Sequence, residues 1–158
     1  MELNDWILSL HVLSAFALVG AMVIFWSMIV ALWGTDSTSR VASLMRVSQI
    51  GTVLVSVGSL GTIIFGVWLA ISLDAYQVWD GWVIAAIVLW AVAVELGRRA
   101  GKLYGGAGME AERLSAAGTE TSPVVAETFG ASRAVQFHAA SSLLVLLILI
   151  DMIWKPGA

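Results

Sequence analysis

From Trp6 to Trp33 the chain runs for 28 residues without a formal charge, WILSLHVLSAFALVGAMVIFWSMIVALW. A helix of that length, at about 1.5 Å per residue, crosses a hydrocarbon core of roughly 30 Å with turns to spare. The stretch therefore reads as a membrane span, and this constrains the fold more than any other feature. His11, one of two histidines in the chain, lies within it. An ionisable group held at membrane depth is costly, which makes it a candidate functional residue.

Composition extends that reading to the whole chain. Of 158 residues, 59% are hydrophobic and 12% charged, against about 25% charged in an ordinary soluble domain. A single all-α membrane domain follows, a four-helix bundle with spans at about 6–33, 47–73, 81–97 and 134–154. The absence of cysteine excludes disulfides, thiolate metal sites and thiol catalysis. A net charge of −3 with clustered basic residues gives no footprint for nucleic acid. The start, MELNDW, is acidic where a cleaved leader would be basic, so the first span is expected to persist.

After Trp33 the polar GTDSTSR makes a short connection with a helix start at Ser37 or Thr38. The second span carries two ladders of small residues at spacing four, Ser48, Thr52, Ser56 and then Gly58, Thr62, Gly66. Such ladders let helix backbones approach closely in lipid, so this helix is expected to be the central packing surface. Tyr76 and Trp79 in the next connection suit an aromatic belt. The third span is expected to be the shortest, ending where Glu95 meets Arg98 and Arg99 in a local ion pair. Gly105, Gly106 and Gly108 should then end the helix and supply flexibility. Tyr104 to about Ser132 becomes the only long connection. It is expected to be either a partner-docking element or, over its last third, the start of a long fourth helix with Ser122 as N-cap and Pro123 at the first helical position.

The basic residues Arg40, Arg46, Arg98, Arg99, Lys102, Arg113 and Arg133 fall on one side of these spans and only Lys155 on the other. By the positive-inside rule both termini face outward, and the long connection between helices 3 and 4 is cytoplasmic. His11 and Asp151 then share the outer leaflet, about 7.5 and 4.5 Å from the nearest interface tryptophan, where a carboxylate accepting from an imidazole would fix its tautomer. His138, Gln49, Glu95 and Gln136 form a second polar group near the inner side, with Met28 at similar depth. A haem or copper could use a His and Met pair, although methionine in a membrane helix is mostly filler. His11 and His138 differ in depth by roughly 16 Å, too far for both to ligate one haem. No phosphate-cradling glycine loop, HExxH motif or nucleophile elbow occurs.

The opening LHVLSAFALVGAMVIF resembles the first helix, LHxLxAxxxxGG, of several families of small bacterial membrane proteins. These include the copper-resistance D domain, HemJ-type protoporphyrinogen oxidases and domain of unknown function 2269. Four spans, the total length and the closing DMIWKPGA look most like the last of them. The resemblance implies a bacterial inner-membrane protein, and by the better-described relatives it implies haem or copper at His11. The small-residue ladders and the lack of a complete active-site constellation favour an accessory or non-catalytic membrane protein that packs against itself or a larger complex through its small-residue faces. Its partners would be the lipid bilayer and other membrane subunits or further copies of itself. A haem-b redox protein using His11 is the rival class, and a small metal or solute permease the third.

Overall fold

The computed structural model describes residues 2–73 and 77–155 and is wholly helical apart from one isolated bridge between Ser37 and Thr121. Its elements are α1 (Leu3–Ala31), α2 (Thr38–Ser72), α3 (Gly81–Ala116), a short α4 (Pro123–Thr128) and α5 (Arg133–Trp154). Four helices are long and apolar enough to cross a membrane. Tyr76, placed in the aromatic belt from sequence, lies outside the described residues; Trp79 is exposed.

The packing is that of an up-down-up-down bundle whose seams repeat every seven residues. On α1 the buried residues Ile7, Ser14, Ala21 and Met28 recur at that interval; on α3 Ala86, Ala93, Ala100 and Ala107 do the same. A seven-residue repeat keeps a seam facing its partner as two helices wrap left-handedly. α1 packs most extensively against α2, and α3 against α5, with α2 on α3 joining the pairs.

The Gly58, Thr62, Gly66 ladder faces α1, as its spacing predicts. A Cβ at Gly58 would stand 2.6 Å from the Leu18 amide nitrogen and 2.8 Å from the Ser14 carbonyl oxygen, so the two backbones meet there with no room for a side chain. The other ladder behaves differently. Ser48 is buried while Thr52 and Ser56 are exposed, and all three hydroxyls donate to carbonyls of their own helix.

α3 departs most from the sequence expectation. It is the longest helix, 36 residues or about 54 Å, and it continues straight through Gly105, Gly106 and Gly108. The alanine seam explains why. Ala100, Tyr104, Ala107 and Ala111 are buried on one face beyond the arginines, and Gly108 rests against the Met45 side chain of α2. Burial of that face outweighs the cost of about 1 kcal/mol per helical glycine. The stop comes at Gly118, whose φ of +77° suits glycine and whose neighbour Thr119 donates its N–H to the Leu114 carbonyl at 2.9 Å.

What was expected as one long loop is therefore mostly structure. Ser122 stands at the N-cap position of α4 without a side-chain capping bond, and Pro123 takes the first helical position, but α4 ends after six residues and α5 starts separately at Arg133. The two connections at this end lace together. Thr38 N–H donates to the Glu120 carbonyl (3.0 Å), Ser122 N–H to Asp36 (2.9 Å) and Gly34 N–H to Phe129 (3.2 Å). Beneath them lies the main core, in which Leu32, Val41, Val125 and Phe129 are fully shielded. The segment folds back onto the bundle end instead of standing free.

Candidate functional site

At the opposite end, where α1 and α5 carry the chain termini, the four helices line a partly open cavity of about 240 Å³. Leu8 and His11 come to it from α1, Thr62 and Gly66 from α2, Trp82, Ala86 and Trp90 from α3, and Ile148 and Met152 from α5, with Lys155 just past the end of α5. Leu8 lines the cavity and is also 51% exposed, so the space reaches the protein surface there.

His11 is positioned by the close approach of α1 to α2. Its Nδ1 lies 3.0 Å from the Thr62 carbonyl oxygen, and Gly66 leaves space for its ring, since a Cβ there would be 2.9 Å from Cε1. A carbonyl oxygen only accepts, so Nδ1 must be the protonated nitrogen. In the neutral imidazole that leaves Nε2 with a lone pair and no hydrogen-bond partner among the described residues. Two further side chains stiffen the wall. Trp90 Nε1–H donates to Ser59 Oγ across α2 and α3 (3.0 Å), and the Lys155 ammonium lies 5.6 Å over the Trp82 ring.

The expected His11 and Asp151 pair does not form. The carbonyl of Thr62 takes the role foreseen for the carboxylate, and Asp151 Oδ2 is buried with no hydrogen-bond partner among the described residues. Ile148 and Met152 of α5, with Lys155 just beyond the helix, meet the cavity, and Asp151 is not among its lining residues. Thr62 and Gly66 thus turn out to be parts of the histidine site as well as packing residues.

The second polar group is dispersed. His138 is buried on the seam between α1 and α5, its ring 5.0 Å from that of Trp26 and 6.0 Å from that of Phe25. Trp26 Nε1–H donates to Ser142 Oγ (2.9 Å), closing that seam through side chains. His138 Nε2 has no hydrogen-bond partner among the described residues. Glu95 accepts from Arg98 and Arg99 on its own helix, each at 2.7 Å, which is the local ion pair expected of it. Gln49 and Gln136 are exposed, and no hydrogen bond joins any of these four among the described residues. Met28 belongs to the core at the far end.

Because His138 packs on residues 25 and 26 of α1, the two histidines are separated by about 21 Å along that helix. Among the described residues no group of three or more histidines and carboxylates is placed to hold a metal ion. The donor set at His11 suits an axial haem ligand, because Nδ1 is fixed by the Thr62 carbonyl and Nε2 is available. The volume does not. An apolar cavity of about 150 Å³ takes up one benzene, whereas a porphyrin spans four pyrrole rings. The space at His11 holds about ten non-hydrogen atoms on the same scale.

The residues that sequence reasoning missed here are Trp82, Ala86 and Trp90. Their signal is present: Ala86 opens the alanine seam, and Trp82 and Trp90 lie four residues before and after it. Comparison with protein-family profiles, with curated proteins and with solved structures finds no match to this chain.

Proposed function

We propose that this chain is an accessory integral-membrane protein, inserted in a bacterial inner membrane with both termini outward, whose working part is the His11 cavity. It holds a small, mainly apolar molecule near the outer leaflet. The observation that carries this reading is the cavity itself. Four helices meet around one imidazole whose tautomer is set by the Thr62 carbonyl, leaving Nε2 as an acceptor on a residue that lines a space bounded by apolar and indole side chains. Seven basic residues at the laced end against Lys155 at the other support the orientation. The small-residue ladder does not support assembly with partner subunits, because α1 already occupies it. Any such partner would meet the outward apolar faces.

The test is thermal unfolding of the purified protein in lipid nanodiscs with and without propylbenzene. A saturable rise in midpoint is expected for the natural sequence and none for Ala86→Leu, which places three more carbons in the cavity. No rise in the natural sequence would overturn the reading. A haem-b protein is the second reading, favoured by the availability of Nε2 alone. A Soret band in the purified protein that His11→Ala removes would raise it above the first.

A further inference from the structure

The tautomer of His11 and the size of the cavity together restrict what can bind, provided that the cavity is a ligand site as proposed above. With Nδ1–H committed to the Thr62 carbonyl at 3.0 Å, neutral His11 offers the cavity an acceptor and no donor. A ligand that presents only acceptors, such as a ketone, an ester or an ether, would leave Nε2 unsatisfied and set lone pair against lone pair. A ligand with one hydroxyl satisfies it. The space takes about ten non-hydrogen atoms on the benzene scale, which is a single six-membered ring with a few substituents. Trp82 and Trp90 both line it, and planar rings pack well against indole faces. Trp90 is held in place by its bond to Ser59, so this wall is preorganised. At Leu8 the cavity reaches the surface, which gives a substituent on the ring a way out.

We infer that the His11 cavity binds a single-ring phenol or hydroquinone head group, whose hydroxyl donates its hydrogen bond to His11 Nε2. Ring and walls supply contact area, and the histidine supplies orientation and selection for a hydroxyl.

The experiment compares 4-propylphenol, which has ten non-hydrogen atoms, with 4-propylanisole, in which a methyl group replaces the hydroxyl hydrogen. Both are titrated against the full chain in nanodiscs, with tryptophan fluorescence as the readout and concentrations referred to the lipid phase. The phenol is expected to bind about tenfold more tightly than its ether, the effect of one hydrogen bond to an otherwise unsatisfied acceptor in an apolar cavity. His11→Phe keeps the bulk and loses the acceptor, so it should bring the two affinities together. Ala86→Leu should abolish saturable binding of both, which keeps the test open if His11→Phe fails to fold. Equal affinity of phenol and ether in the natural sequence would overturn the hydroxyl assignment while leaving the cavity a ligand site. Saturable binding of neither would overturn both readings. Either source of such a ring upholds the assignment, and a tail separates them. A gain of tenfold or more for a decyl-substituted hydroquinone over hydroquinone itself assigns the ligand to the bilayer, and no gain assigns it to dissolved phenols.

Discussion

Gly58→Ala tests the helix packing at its tightest point. The added carbon would sit 2.6 Å from the Leu18 amide nitrogen and 2.8 Å from the Ser14 carbonyl oxygen, where ordinary contact needs about 3.5 Å. Both neighbours are backbone in the middle of α1, so no side chain can swing away. The helices must separate by about 0.8 Å, and a gap of that size forfeits a quarter to a half of the dispersion energy of the atoms facing it. Overpacking of a rigid interior costs about 1–3 kcal/mol, and this site belongs at the upper end. Gly20→Ala on α1 is the matched control, because nothing lies within 4 Å of a Cβ there; it should be neutral or stabilising by up to about 1 kcal/mol. Equilibrium unfolding in mixed micelles across a denaturant series measures both. If Gly58→Ala falls within about 0.5 kcal/mol of its control, α1 and α2 do not pack as described.

Thr38→Val removes the hydroxyl that donates to the Thr119 carbonyl at 2.6 Å in a fully shielded position. It should cost about 1–3 kcal/mol and speed hydrogen exchange across residues 117–122 by the matching factor. Phe129→Ala empties the centre of the laced end and should cost about 3–5 kcal/mol, read from the same denaturant series. For orientation, a cysteine at exposed Ala117 should react with an impermeant thiol reagent only after the cells are opened, and reaction in intact cells would reverse the assigned sidedness. A cysteine at Ala107 should stay unreactive under both conditions, because that position is buried. With about 21 Å between them along α1, His11 and His138 should never yield one bis-histidine haem spectrum that each single alanine variant abolishes.

The sequence by itself determined the four apolar segments, their up-down order and the end at which the charge collects. These depend on local quantities: the length and apolarity of each run, and the count of Lys and Arg between runs. It also determined that Gly58, Thr62 and Gly66 form a packing face, because spacing four on a helix puts three small side chains in one line. Only the tertiary structure decided where α3 ends. Taken alone, GGAG is a breaker, and it stays helical because Ala100, Tyr104, Ala107 and Ala111 are buried against other parts of the bundle. The seven-residue alanine seam was present in the sequence but quiet, since alanine contributes little to any hydropathy signal. The partner of His11 was not legible at all. Residue counts from Trp6 and Trp154 brought Asp151 to the same end of the bundle as His11, yet the acceptor is a backbone carbonyl, a group every residue carries. What selects Thr62 is the close approach of two helices where glycine replaces a side chain, and such an approach exists only once the helices have packed.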